Sequence, residues 1–409
     1  MQKLVIFTFF VFHGAFLFSF LVENILKKGV IFIFWKNKIT QISCFSEKCR
    51  IFAGMKLHIF NPEHDLALAF GGDNFTAPHA GRQLRADLGY LPAVWAADGD
   101  FVLVDDVEVA LERVRHLESY TKEVAFVTKD DLKALPLTDI EPWGWDAALC
   151  AQLARNGVSA ACLLNHQQLN NIRTLSSRKF AAVVLPQFVA HDERLVGKSE
   201  YIEDIETLHR RVKEWRHCVL KAPWSSSGRG VRYVQDAMDE PLIRWAEHIL
   251  ERQGGIMIEP YYNKVIDFGM EFESLADGVR YVGLSLFQTI NGAYAGSILT
   301  QEHVKRELLA RYLPLELLDA VRQRIIDVLS PLFKGQYMGP FGIDMMVCAK
   351  PYRLHPCVEI NLRRTMGHVA IAMTPSLVGL KELMRIDYEH TRYHLRIRPF
   401  KSDINNDII

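Results

Sequence analysis

The stretch "FGIDMMVCAKPYRLHPCVEINLRR", residues 341–364, reads as two strands around a turn. Pro351-Tyr352 supplies the turn. A hairpin folded there sets Asp344 opposite Glu359 and Gly342 opposite Asn361. Glu359 and Asn361 are two apart and share one face, while Val358 and Ile360 point to the core. Two facing carboxylates repel unless something positive lies between them. With an amide oxygen beside them, the donor set suits Mg²⁺, which keeps waters and takes its other ligands from substrate phosphates. A solvated hairpin whose acids face each other by chance is the competing reading of this segment.

A second stretch lies upstream, "VLKAPWSSSGRGVRYV", residues 219–234. Here Lys221 precedes the glycines and "VRYV" continues as a strand, so this is not a Walker loop, which needs the lysine after the glycines and a helix next. Two uses are open to it: a plain Gly/Ser turn, or a hairpin flap. A flap would offer phosphate the backbone N–H groups of Ser225 to Gly230, including Ser226, Ser227, Gly228 and Gly230, with Lys221 reaching the same oxygens from the strand. "RHCVLKAP", "IMIEPYY", "DFGMEFESL" and "RYVGLSLFQTI" are further strands, with helices expected over about 239–252, 300–312 and 314–333. Strands with helices on one side are an α+β pattern.

Taken in order, these features resemble the ATP-grasp family. The chain runs Lys179 in "SSRKFA", Lys221 in "VLKAP", the flap "SSSGRG", the hinge "MIEPYY", then "DFGMEF", Asp344, and Glu359-Ile-Asn361-Leu-Arg363. The resemblance covers about residues 173–390, and the ExNxR ending is similar to the family's carboxylase and ligase members. It implies an ATP-grasp fold of two α+β subdomains clasping ATP, preceded by a small α/β substrate domain. It also assigns roles. Lys179 and Lys221 would contact the phosphates, Glu259 to Tyr261 the adenine edge, and Asp267 the ribose. Asp344, Glu359 and Asn361 would hold Mg²⁺ (or Mn²⁺), and Arg363 would face the transferring phosphate or the acyl substrate. The implied activity is ligation of a carboxylate to an amine through an acyl phosphate. A small-molecule kinase and a membrane-tethered nucleotide binder without catalysis are the alternatives. The basic residue that the family often places between hinge and metal strands has only Lys305 and Arg306 as candidates, and the first-lysine role could fall on Arg178 instead of Lys179. Oligomeric state stays open, a homodimer being common in the family.

The rest of the chain bounds these readings. With 48 basic and 48 acidic residues there is no electrostatic case for nucleic acid. The cysteine count is odd and has no CxxC framework, which fits a reducing, cytoplasmic setting. Residues 1–54 differ from the rest: they hold 11 of the 24 Phe, no Asp and no Pro. Two readings stand for them. One is translated AT-rich sequence upstream of a start at Met55. The other is an anchor through residues 4–22, followed by Lys27, Lys28, Lys36 and Lys38, which would keep the remainder in the cytoplasm.

Residues 55–172 read as a small α/β domain, with "KLHIF", "LPAVWAA" and "FVLVDD" as strands and helices over 106–120 and 145–156. "NPEHD", just past the first strand, is either a helix cap or a substrate-recognition loop with Glu63, His64 or Asp65 near the acceptor. Arg82 and Arg85 are either carboxylate binders or helix surface. Trp143 and Trp145 are read as core, and His368 as either substrate-facing or structural. The ATP-grasp region is taken as 173–395 and 396–409 as a polar tail.

Overall fold

The computed structural model describes residues 55–189, 192–226, 228–290, 293–374 and 381–399. Residues 1–54, Ser227 of the expected flap, and 400–409 lie outside the described residues. Among the described residues no helix is long and apolar enough to cross a membrane.

The first domain runs β1 (Met55–Ile59), α1 (His64–Phe70), α2 (His79–Leu88), β2 (Phe101–Leu103), α3 (Val107–Val114), β3 (Ala125–Val127), β4 (Leu137–Pro142) and α4 (Ala147–Arg155). Its four strands form a parallel sheet in the order β3-β2-β1-β4. β1 has Leu57 and Ile59 buried on one face. On the other, His58 is kept by Nε2 lying 2.9 Å from the Asp100 carboxylate. "LPAVWAA" is not the expected strand: Leu91–Val94 is a buried 3₁₀ turn with Pro92 in it, a residue that cannot donate to a ladder. β3 and β4 were not legible as strands, being short and, in β4, largely polar.

β1 starts at Met55 and has a hydrogen-bonded strand on each side, β2 and β4. A chain beginning at Met55 is therefore expected to unfold at the same midpoint as the full chain. A midpoint lower by several degrees in a thermal melt would assign a stabilising role to residues 1–54.

Two helices, α5 (His166–Leu175) and α6 (Arg178–Val189), lead into a four-stranded antiparallel sheet. It is built from β5 (Glu200–Ile202), β6 (His217–Lys221), β7 (Val231–Gln235) and β8 (Ile256–Pro260), with α7 (Ile205–Trp215) and α8 (Glu240–Gln253) on one side, in the order β5-β8-β6-β7. Cys218, Leu220, Val234, Ile256 and Ile258 face those helices and make a separate small core. Val219 and Lys221 alternate to the other face, with Lys221 opposite Met257 and Val219 opposite Glu259.

The largest sheet has seven strands in the order β13-β12-β9-β10-β11-β14-β15. These are β9 (Lys264–Leu275), β10 (Gly278–Ile290), β11 (Ala293–Leu299), β12 (Gly339–Cys348), β13 (Arg353–Asn361), β14 (Glu382–Glu389) and β15 (Arg392–Pro399). Between β11 and β12 lie α9 (Glu302–Leu309) and α10 (Leu315–Phe333), and α11 (Met366–Ala372) follows β13. Phe268, Met270 and Phe272 of β9 alternate into the main core against α10. Residues 396–399, taken above as part of the polar tail, complete β15 and pair with β14. Leu299, Val369, Met384 and Leu395 share a core with Phe60, Leu91 and Trp143, so the first domain packs directly on this sheet. The α+β fold with a parallel α/β domain ahead of it is the fold observed.

Candidate active site

The β12–β13 hairpin has the expected register where it matters. Gly342 pairs with Asn361, Ile343 with Ile360, and Asp344 with Glu359. Nearer the turn the register slips, and Met346 pairs with His355. The cause is Pro356: lacking an N–H, it cannot continue the ladder, and the strand bulges around it. The turn therefore centres on Lys350-Pro351 rather than on Pro351-Tyr352. Val358, expected in the core, is only half-buried, whereas Ile360 is 3% exposed.

Asp344, Glu359 and Asn361 share one face, and Glu271 of β9 joins them. Gly342 lies opposite both Asn361 and Glu271, which puts the three in one cross-strand row. Burial, then the charges of Glu359 and Glu271, push the Asp344 carboxyl up to about 8. Acids so crowded call for a cation. Among the described residues no three His, Cys, Asp or Glu side chains form a metal cluster. Two carboxylates and one amide oxygen fit an ion that draws its remaining ligands from phosphate and water.

Glu271 itself is buried and fully engaged. It accepts from Ser285 Oγ at 2.7 Å and Thr365 Oγ1 at 2.8 Å, and lies 3.1 Å from His368 Nδ1. Those bonds hold its carboxyl below the usual range against the opposing effect of burial. His368 also turns Nε2 to the Phe272 carbonyl oxygen at 3.2 Å, so both its ring nitrogens are engaged within the fold.

The flap stretch is a hairpin loop between β6 and β7. Its root is closed by Ala222 N donating to Gly230 O at 2.8 Å, and Gly228 takes a positive φ of 70° that favours glycine. Gly230 has no room for a side chain, since Ser225 occupies the position of a Cβ. Lys221 is buried, with Nζ 2.5 Å from Glu259 Oε2, and Ser199 Oγ donates to Glu259 Oε1 at 3.2 Å. Glu259 thus offers its side chain to Lys221, while Tyr261 stacks on His217 with ring centroids 4.0 Å apart. Asp267 accepts from Thr289 Oγ1 at 2.8 Å and is bridged by Lys264.

Of the two candidates for the first basic residue, Arg178 is the one that reaches the flap root and Glu359. Its guanidinium donates to Ala222 O at 2.7 Å, Ser225 Oγ at 2.8 Å and Glu359 Oε2 at 2.7 Å. Lys179, next along α6, points elsewhere: Nζ lies 3.9 Å from the Tyr201 ring centre and 3.9 Å from Glu203. Consecutive helical residues do not share a face, which is why a one-residue choice decides which side chain arrives. Lys305 is fully buried and donates to Leu284 O at 2.8 Å, and Arg306 is paired through two bonds with Asp319.

Arg363 turns toward the first domain. Nε and Nη2 donate to the two oxygens of Asp65 at 2.9 and 2.8 Å, and Nη2 also donates to Asn361 Oδ1 at 2.9 Å. Asp65 is therefore no helix cap, and α1 has no side-chain cap bond at its start. Its neighbour Arg364 turns the other way, toward Glu141 and over the Trp95 ring at 4.8 Å. Arg85 pairs with Glu63 within the first domain. Trp143 is buried in the core, as expected, with its ring 5.0 Å from that of Phe60.

No family model matches the chain, and no curated protein matches it. Among solved structures it is similar to N5-carboxyaminoimidazole synthetase from Staphylococcus aureus complexed with ADP, at 12% identity over 86% of this chain and 94% of that one, TM-score 0.48. It is also similar to a biotin carboxylase-beta-gamma-ATP complex from Campylobacter jejuni, at 11% identity over 83% of this chain and 77% of that one, TM-score 0.48. A third is a putative ATP-grasp superfamily protein from Archaeoglobus fulgidus, at 13% identity over 85% and 100%, TM-score 0.40. The chemistry of the site is carried by its own residues.

Proposed function

We propose that this chain is an ATP-grasp ligase: it uses ATP with Mg²⁺ (or Mn²⁺) to activate a carboxylate as an acyl phosphate for attack by an amine. One observation carries the reading. The Arg178 guanidinium joins the root of a glycine-rich flap to Glu359, so a phosphate-cradling loop and a carboxylate pair meet at one place. Phosphoryl transfer needs positioning and charge neutralisation more than covalent help, and this is what such an arrangement supplies.

Lys221, Arg178 and the flap N–H groups would hold the phosphates, in part by exchanging the pairs they now make with Glu259 and Glu359. Asp344, Glu359 and Asn361 would hold the metal, which when bound neutralises phosphate charge. Glu259 to Tyr261 would border the adenine and Asp267 the ribose. Lys179, half-exposed on Tyr201, supports such a role less than Arg178 does. In the reaction a carboxylate oxygen attacks the γ-phosphorus and ADP leaves. The amine nitrogen then attacks the carbonyl carbon, phosphate leaves, and the nitrogen gives up a proton. A closed flap would exclude water from the labile acyl phosphate. Small carboxylate and amine substrates are the implied partners.

The test is the full chain with ATP, Mg²⁺ and pools of amino acids and small carboxylates, following phosphate release and product mass together. ADP and phosphate released only when a carboxylate and an amine are both present is the expected result. A stable phosphorylated product with no need for an amine would move the assignment to a kinase. Tight ATP binding without turnover in any pool would count against catalysis of either kind.

A further inference from the structure

The motif Asn61-Pro-Glu-His-Asp65 follows β1 and lies at the carboxyl edge of the parallel sheet. In the order β3-β2-β1-β4 the winding reverses beside β1, the place where open α/β sheets hold ligands. Here that place receives Arg363 from the end of the metal hairpin. The polar residues of the motif each have a partner. Asn61 Nδ2 donates to Gly144 O at 2.8 Å, and His64 Nδ1 lies 3.4 Å from Asp146 Oδ2. Glu63 takes Arg85, and Gly144 leaves no room for a Cβ beside the His64 ring. The loop is thus braced from both sides, and what it presents is Asp65.

Arg363 has five N–H donors in a rigid fork. One on Nε and two on Nη2 go to Asp65 and Asn361, and one on Nη1 goes to Arg364 O at 3.1 Å. Two-point pairing with a carboxylate fixes a guanidinium in angle as well as in distance. Asn361 Oδ1 keeps a second lone pair for another partner.

We infer that Asp65 is the positioning residue for Arg363, so that the first domain sets the geometry of the metal site through Asn361. This rests on the nucleotide reading above. Asp65→Asn would place an NH₂ group where the fork needs an acceptor and would free the guanidinium from Asn361. Asp65→Glu keeps the charge and both acceptors.

The experiment uses the full chain and Mn²⁺·ATP as probe, with ATP in the absence of metal as reference and a thermal melt for every variant. Asp65→Asn and Arg363→Lys are each expected to weaken Mn²⁺·ATP about tenfold, and the double variant no more than Arg363→Lys alone, since the two groups act as one unit. Metal-free ATP should stay within about twofold, and Asp65→Glu should recover most of the affinity. A purely structural staple between domains would lower the melting point without separating the two ATP affinities. Asp65→Asn with wild-type Mn²⁺·ATP affinity, or losses that multiply in the double variant, would overturn the inference alone. A wild-type chain that binds no Mn²⁺·ATP would overturn the nucleotide reading and the inference with it.

Discussion

Replacing Glu359 by Gln is expected to leave the protein folded and to lower ATP-dependent phosphate release by on the order of a hundred- to a thousandfold. Gln keeps the size of the side chain and one oxygen for Arg178, now 2.7 Å from Glu359 Oε2. What it removes is the negative charge facing Asp344 across the hairpin. Two like charges in register are unfavourable for the fold by themselves, and with Arg178 bonded to Glu359 the Asp344 carboxyl still stays raised to about 8. The proposed cation between them would give the pair its purpose, and halving that charge would weaken the cation's hold. Phosphate release close to wild type in a folded Glu359→Gln protein would remove the metal role from this hairpin, and with it the main support for the proposed chemistry.

Gly367→Ala is expected to destabilise the protein by about 3 kcal/mol, through overpacking rather than any loss of contact. Gly367 lies in the first turn of α11, directly against the buried Glu271. A Cβ there would overlap Glu271 Oε1 and stand 2.6 Å from Ser285 Oγ. Glu271 cannot swing away without surrendering its bonds to Ser285, Thr365 and His368. Gly342 closes the other side, since its own Cβ would overlap Glu271 Oε2. Breaking a buried charged network costs several kcal/mol, so either response is expensive. Chemical denaturation should show the loss, and truncating the acid in the same chain, as Glu271→Ala/Gly367→Ala, should be less damaging than the two changes summed. An unchanged denaturation midpoint in Gly367→Ala would mean that α11 does not sit against β9 as described.

How much of this was legible beforehand differs by element. Alternation was enough for β9, β10, β12 and β13, because each is long and has one face in the main core. The same alternation carried the facing of Asp344 and Glu359, since two strands joined by a short turn leave little choice of partner. It failed at Pro356, where one missing donor shifted the turn end of the hairpin without disturbing the site end. The three-residue strand β3 lies near the lower limit at which a period can be seen at all.

The sequence by itself thus determined the strands β6, β7, β8, β9, β10, β12 and β13 and the hairpin with its paired acids. It also determined a glycine loop preceded by a lysine, and the order in which they come. These depend on neighbours along the chain, where side-chain period and turn chemistry decide. Only the tertiary structure decided that Arg178 rather than Lys179 reaches Glu359, a matter of which face of α6 meets the sheet. Only it brought Asp65 to Arg363 across 298 positions of sequence, and Glu271 beneath Thr365 and His368. Such pairs leave no periodic trace, because a buried charge is specified by the partner it meets after folding.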